Sequence, residues 1–285
     1  MLVFLIILLI SFIIYVRILI STKRKISNFS RRPKIKVITL ALAKGGVGKS
    51  SISLSLAAEL AKKHKTVLID GDVQGNSSST LVSETKFELA DILNGKCYVE
   101  DAVIRTEIPN LFVIPTVATE NNLRIYKAQK ASDEPEVFMD ITDELAKLGF
   151  EYVIIDTSPA FDAFEGNIFL ATDEVIPVML LDPYSFDGLT MFKKNLEEFR
   201  AKHKRQLSDS KAVIKRIVLN NYDSRLALSR NILEVMQKQS EYKTYLIPTE
   251  QNFKRSVNQK TPVQYLSGTK AQVLKGLEEL AGDVE

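Results

Sequence analysis

The chain has 285 residues, 45% hydrophobic and 26% charged, enough for one large domain or two small ones with a full core. That composition excludes a disordered, collagen-like or coiled-coil chain. One cysteine (Cys97) and two histidines (His64, His203) exclude a disulfide framework and a Cys-rich metal centre within one chain, and argue against a His-based one. The net charge of +3 is unevenly spread: residues 1–36 hold eight basic side chains and no acid, leaving 30 basic against 35 acidic residues beyond them. The basic balance belongs to the amino-terminal tail.

Residues 1–16 are almost unbroken apolar sequence, interrupted by Ser11, and Arg17 and Ile18-Leu19-Ile20 follow. A helix of about 20 residues spans roughly 30 Å, one hydrocarbon core, and the long stem of Arg17 reaches towards the headgroups. Residues 1–21 are therefore expected to form a transmembrane helix, with Lys23-Arg24-Lys25 setting the carboxy-terminal side in the cytoplasm. No basic residue precedes the run and no Ala occurs in it, so it fits a cleaved signal peptide poorly. The alternative is a start-site artefact with a product beginning near Lys34, which needs a non-Met start because the second methionine is Met139. Residues 22–34 read as a basic linker suited to an anionic membrane surface, and residues 35–285 as one globular domain.

From Lys34 onward short apolar runs alternate with amphipathic stretches. The runs predict strands over Val37–Ala43, Thr66–Asp70, Leu111–Pro115, Tyr152–Asp156, Val175–Leu180, Ile214–Asn220 and Tyr245–Pro248. Helices are predicted over Ser51–Lys63, where Ile52, Leu56 and Leu60 form a stripe, and over Ser132–Lys147, Gly188–Lys202, Ala227–Lys238 and Lys270–Leu280. This alternation predicts a doubly wound α/β fold with a mostly parallel sheet.

Ala43-Lys44-Gly45-Gly46-Val47-Gly48-Lys49-Ser50 lies between a predicted strand and a predicted helix, the context of a phosphate loop. Glycines let backbone N–H groups curl around phosphates, and the helix start that follows favours an anion. Lys49 is expected to reach the β- and γ-phosphates and the Ser50 hydroxyl to bind Mg²⁺. Two further apolar runs end in acids: Val67-Leu68-Ile69-Asp70-Gly71-Asp72 and Tyr152-Val153-Ile154-Ile155-Asp156. Strand ends face the ligand crevice in open α/β sheets. A carboxylate beside a metal and a terminal phosphate can orient a water or take its proton.

The form K-G-G-V-G-K-S at residues 44–50 resembles the deviant Walker A box of the ParA/MinD family of dimeric P-loop ATPases. Asp70-Gly71-Asp72-Val73-Gln74-Gly75-Asn76 resembles its switch I, and Ile154-Ile155-Asp156-Thr157-Ser158-Pro159 its Walker B strand and switch II, where the family often has Pro at the place of Ser158. Phe186-Asp187-Gly188-Leu189, Ile217–Arg225 and Tyr245–Pro248 resemble its later segments, so that the likeness covers about residues 35–280. The resemblance implies a P-loop NTPase fold of the SIMIBI type, with ATP and Mg²⁺ as cofactors. Lys44, Lys49 and Asp72 would be catalytic, Lys44 reaching across an ATP-sandwich homodimer and Asp72 positioning the attacking water. Nucleotide would be bound by Lys44, Gly45, Gly46, Val47, Gly48, Lys49, Ser50 and Ser51, with Asn220 and Pro248 at the base, and Mg²⁺ by Ser50, Asp72 and Asp156. Asp70 is expected to support the Mg²⁺ shell.

Residues 200–260 hold fourteen basic residues against five acidic ones, densest at Arg200, Lys202, Lys204 and Arg205, followed by Lys211, Lys215 and Arg216. Such a cluster can bind phosphates without reading sequence. With the resemblance it implies a short, ParA-like DNA-partitioning switch that binds non-specific DNA and is stimulated by a ParB-like partner. A second reading is a MinD-like positioning ATPase at a membrane. The acidic end Leu277–Glu285 does not suit anionic lipid, so residues 1–21 would supply that contact. A bacterial tyrosine kinase lacks the K-G-G box and carries a terminal tyrosine cluster, and a nitrogenase-reductase-like carrier needs two cysteine ligands per subunit.

Overall fold

The computed structural model describes residues 35–42, 44–239 and 241–285. The expected membrane helix at 1–21, the linker at 22–34 and Ala43 at the head of the phosphate loop lie outside the described residues. Among the described residues no helix is long and apolar enough to cross a membrane.

The chain runs β1 (Lys36–Ala41), α1 (Lys49–Leu60), β2 (Thr66–Gly71), α2 (Asn76–Ser79), α3 (Leu89–Leu93), α4 (Val99–Ala102), β3 (Ile104–Arg105) and β4 (Leu111–Ile114). It continues through α5 (Asn122–Gln129), α6 (Val137–Lys147), β5 (Tyr152–Thr157), α7 (Ala163–Ala171), β6 (Glu174–Leu180) and α8 (Pro183–Lys202). β7 (Arg216–Tyr222), α9 (Ala227–Gln239), β8 (Lys243–Pro248), α10 (Asn252–Gln259) and α11 (Ala271–Val284) complete it.

The described strands form one sheet in the order β3-β4-β2-β5-β1-β6-β7-β8. All neighbours are parallel except β3, which pairs antiparallel with β4. This is the doubly wound, mostly parallel sheet that the alternation predicts. The central strands are buried on both faces, and their residues alternate between two layers of core. Ile38, Leu68, Ile154, Ile176 and Val218 pack with Ile52 and Leu56 of α1 and Leu277 and Leu280 of α11. Val37, Val67, Val153 and Ile155 face the other way, onto Ile141 and Leu145 of α6 and Phe164 and Ile168 of α7. Further along the sheet Val175, Met179 and Leu219 meet Phe192 and Leu196 of α8.

Several boundaries differ from the sequence expectation. The helix expected over Ser132–Lys147 begins at Val137, after the proline at 135. The helix expected from Gly188 starts at Pro183, because Asp182 accepts the Ser185 amide as an N-cap and Pro occupies the first turn. β7 runs two residues later than expected, over Arg216–Tyr222, and α11 extends to Val284.

Candidate active site

β1, β2 and β5 are hydrogen-bonded neighbours, so the loops leaving their carboxyl ends converge. There they bound a cleft of about 560 Å³, lined by Gly45, Gly46, Gly48, Lys49, Ser50, Ser51, Asp72, Gln74, Ser158 and Pro159, with Ser256 and Val257 of α10 also on its wall.

The loop from β1 turns into α1 at Gly48, whose φ of 90° only glycine adopts readily. A Cβ there would also sit 2.2 Å from Asn220 Nδ2. Among the described residues no side chain caps α1, so its first amides remain available to an anion. Lys49 is 7% exposed. Its Nζ donates to the carbonyls of Lys44 (3.0 Å) and Leu42 (3.3 Å), so it lies folded along the loop. Burial holds its pKa below the ordinary lysine value, against the pull of Asp156 and Asp72.

Lys44 turns elsewhere. Its Nζ donates to Asp182 Oδ2 at 2.8 Å, Asp182 Oδ1 at 3.0 Å and Ser185 Oγ at 3.2 Å. Burial pushes the Asp182 carboxyl up, but the hydrogen bonds from Lys44 and Ser185 outweigh it and hold its pKa below the usual carboxylate range.

Asp70 and Asp156 stand opposite each other at the ends of β2 and β5, both fully buried. Asp156 Oδ1 accepts from Ser53 Oγ at 3.2 Å, while Oδ2 has no partner among the described residues. Burial first, then the Asp70 charge, push the Asp156 carboxyl up to about 7, with Ser50 and Lys49 pulling the other way. An orphaned buried carboxylate oxygen beside a hydroxyl is a costly arrangement on its own and fits a cation. No three His, Cys, Asp or Glu side chains converge on a metal position among the described residues. A cation here would rest on Ser50, Asp156 and ligand oxygens, the hard, sparsely protein-bound set that suits Mg²⁺.

Asp70 does not join that set. Its carboxylate accepts from Ser78 N (2.8 Å), Ser78 Oγ (2.7 Å) and Asp72 N (3.2 Å), tying β2 to the start of α2. These bonds use its oxygens to satisfy donors in the following loop. Asp72 lines the cleft, 8% exposed, and its Oδ1 accepts the Gln74 amide at 3.0 Å, which shapes the turn after β2. Gly75 follows with φ 61°, and a Cβ on it would lie 2.4 Å from the Thr116 carbonyl oxygen.

A family profile described as an AAA domain matches residues 35–209. The chromosome partitioning protein ParA of Caulobacter vibrioides is 30% identical over 215 residues, which cover 74% of this chain and 79% of that protein. The chain belongs to the ParA/MinD family of P-loop ATPases. Solved structures share its fold. A Cyanothece McdA–ATP complex superposes with a TM-score of 0.75 at 19% identity, over 88% of this chain and 96% of that one. The septum site-determining protein MinD of Pyrococcus horikoshii, complexed with Mg-ADP, superposes with a TM-score of 0.71 at 20% identity, over 88% and 96% of the two chains.

Of the ParA/MinD residues expected in the sequence, the cleft brings together Gly45, Gly46, Gly48, Lys49, Ser50, Ser51 and Asp72. Asn220 lies against the loop rather than on the cleft wall: its Nδ2 donates to the Val47 carbonyl at 2.8 Å and its Oδ1 is buried without a partner among the described residues. Pro248 ends β8, half-buried and off that wall. The sequence does not single out Ser256 and Val257: α10 is only eight residues long, with Phe253 and Val257 as its sole apolar pair.

The basic cluster is only partly free. Lys211 pairs with Asp173 at 2.7 Å, Arg216 with Glu174 at 2.6 Å, and Arg200 donates to the carbonyls of Lys211 and Asp209. Lys202, Lys204 and Arg205 are exposed around the end of α8.

Proposed function

We propose that this ParA-type ATPase is a nucleotide-driven dimerising switch that partitions DNA. In this reading the amides of residues 45–51 and Lys49 hold the phosphates of ATP in the 560 Å³ cleft. Ser50 and Asp156 hold Mg²⁺, which supplies charge neutralisation at the phosphates when bound. Asp72 orients the attacking water, and Lys44 of one subunit stabilises the developing charge in its partner's site, as an arginine finger does. Asn220 and Pro248, which the cleft wall does not include, would bound the base. The observation that carries the reading is the direction of Lys44: it shares a loop with Lys49, yet its ammonium is 2.8 Å from Asp182. Lys44 points away from the loop that Lys49 follows, and release from Asp182 would leave its ammonium free to reach a second subunit.

Lys202, Lys204 and Arg205 would contact DNA phosphates without reading sequence, and a ParB-like protein would stimulate hydrolysis. The tail supports an added feature: residues 1–21 have the length and flanking charge of a membrane anchor, and 22–34 those of its linker. With the anchor in use, the same switch would position a complex at the membrane in the manner of the MinD reading.

The test combines nucleotide binding with light scattering. Lys49→Ala should abolish ATP binding. Lys44→Ala should bind ATP and fail to hydrolyse it, and Asp72→Ala should accumulate as an ATP-bound dimer. ATP affinity unchanged in Lys49→Ala, or a monomer in every ATP-bound sample, would refute the reading.

A further inference from the structure

The segment after Asp156 is gripped from behind by a buried ion pair. Ser158 lines the cleft and is 7% exposed. Its hydroxyl donates to Glu165 Oε1 at 2.5 Å and accepts from Lys127 Nζ at 3.0 Å. Lys127 Nζ also donates to the same Glu165 oxygen, at 2.7 Å, so the three groups close a triangle. They come from three places: Lys127 from α5, Glu165 from the first turn of α7, and Ser158 from the loop leaving β5. Glu165 is 0% exposed and the Lys127 side chain 12%. Phe164 lies beneath the ammonium, 4.7 Å from ring centroid to Nζ, and Asp162 Oδ2 stands 4.0 Å away.

Desolvation offsets much of the attraction in such a pair, so its net yield to stability is small. What it supplies is geometry. Two oppositely charged groups on two helices leave the Ser158 hydroxyl one orientation, with its proton on Glu165 and a lone pair on Lys127. Ser158 is two residues beyond Asp156, and Thr157 between them is anchored on the other side, its Oγ1 donating to the Leu40 carbonyl at 2.8 Å. The strip 156–158 is thus fixed residue by residue up to Ser158, where it enters the cleft wall.

We propose that Lys127 and Glu165 are positioning residues for ATP hydrolysis, which act through the Ser158 hydroxyl to hold the segment that carries Asp156. The inference rests on the cleft being the ATP site. The phosphate loop and Lys49 are the groups expected to grip the phosphates, so they set affinity. A shift of the segment that carries Asp156 changes the alignment of reacting groups, which governs turnover. Through Lys127, α5 becomes part of the framework that positions the reacting groups.

The experiment uses the full chain and follows three quantities: kcat and KM for ATP, the affinity for a fluorescent non-hydrolysable ATP analogue, and thermal melting. Ser158→Ala should lower kcat about tenfold, the value of one charge-assisted hydrogen bond, with analogue affinity within about twofold of wild type. Ser158→Thr, which keeps the hydroxyl, should restore most of the turnover. Lys127→Met alone strands a buried carboxylate and can unfold the chain, so the charge-free pair Lys127→Met/Glu165→Gln is the second arm. It should fold, bind the analogue and turn over slowly, and adding Ser158→Ala to it should cost little more, because all three act through one contact. Turnover within about twofold of wild type in folded Ser158→Ala and in the charge-free pair, or a loss that only follows lost affinity, would overturn the proposal. Lys49→Ala separates the two levels: analogue binding retained there would overturn the cleft assignment itself, whereas binding lost there with Ser158→Ala at full turnover would overturn the positioning role alone.

Discussion

Lys44 Nζ lies 2.8 Å from Asp182 Oδ2, and the two side chains are 32% and 28% exposed. The lysine that the ParA/MinD resemblance assigns to a partner's phosphates is held in its own subunit by the residue that caps α8. Partial exposure keeps this pair weak, about 1 kcal/mol, so a phosphate of much higher charge can displace the carboxylate. In the proposed sandwich dimer, this ion pair would compete with the partner's phosphates for Lys44.

Asp182→Asn tests that competition. Asn is as good an N-cap as Asp, so α8 should stay intact while Lys44 is released. The protein concentration for half-dimerisation with a non-hydrolysable ATP analogue should fall about 30-fold, because each dimer frees two such pairs of roughly 1 kcal/mol each. Analytical ultracentrifugation reads it directly. An unchanged or weaker dimer would mean that Lys44 does not leave Asp182 when the subunits join.

The Asp156 pKa of about 7 ties stability to pH. The unfolded chain releases this proton near the ordinary value of 3.8, and the nucleotide-free native state keeps it up to about 7. In that window the native state binds more protons than the unfolded one, so stability falls as pH rises, by about 1.4 kcal/mol per unit at most from this one group. Asp70 is raised in the same direction by burial and adds to the slope. Urea unfolding in EDTA at about pH 5, 6 and 7 should show the decline, and Asp156→Asn should flatten it. A slope unaltered by that substitution would assign it to other groups.

The exposed end of α8 makes a third comparison possible. Changing Lys204 and Arg205 to Glu should weaken DNA binding equally on unrelated sequences and reduce the salt slope of binding, by about 0.9 for each phosphate no longer neutralised. Lys211→Ala should leave the slope alone, because Lys211 is engaged with Asp173 at 2.7 Å. Fluorescence anisotropy over a salt series distinguishes them. Equal effects at Lys211 and at Lys204 would show that the ion pair opens on DNA.

What the sequence made legible follows from how each feature is encoded. β1, β2, β5, β6 and β7 are buried on both faces and so appear as apolar runs. The phosphate loop depends on backbone shape, which glycine writes into the sequence at Gly48. The short helices α2, α3 and α4 have no room for a periodic stripe, and α5 and α10 are mostly polar, so their places come from what they pack against. Lys127 illustrates the limit: as one lysine on a polar helix it carries no sequence signal, and its meaning arises only when α7 brings Glu165 within 2.7 Å. The commitment of Arg216 to Glu174 was hidden for the same reason, since 42 residues separate the partners.

Asp70 offers a substitution whose outcome differs in sign between two roles. If it belonged to the metal's surroundings, as its place beside Asp156 suggests on sequence, Asp70→Asn would raise the Mg²⁺ concentration needed for hydrolysis. Its oxygens are instead spent on Ser78 and on the Asp72 amide. Asn is the same size but presents an NH₂ to donors that need an acceptor, so the fold should lose about 1–3 kcal/mol. Its neutrality also removes a negative charge that pushes Asp156 upward. Asp156 would then ionise at lower pH, and a carboxylate must be ionised to hold a cation. Near pH 7 the half-saturating Mg²⁺ concentration should therefore stay level or fall in Asp70→Asn while the unfolding midpoint in urea drops. ATPase titrations with Mg²⁺ alongside urea melts of the same preparation decide it. A rise in the Mg²⁺ requirement with no loss of stability would return Asp70 to the metal's surroundings.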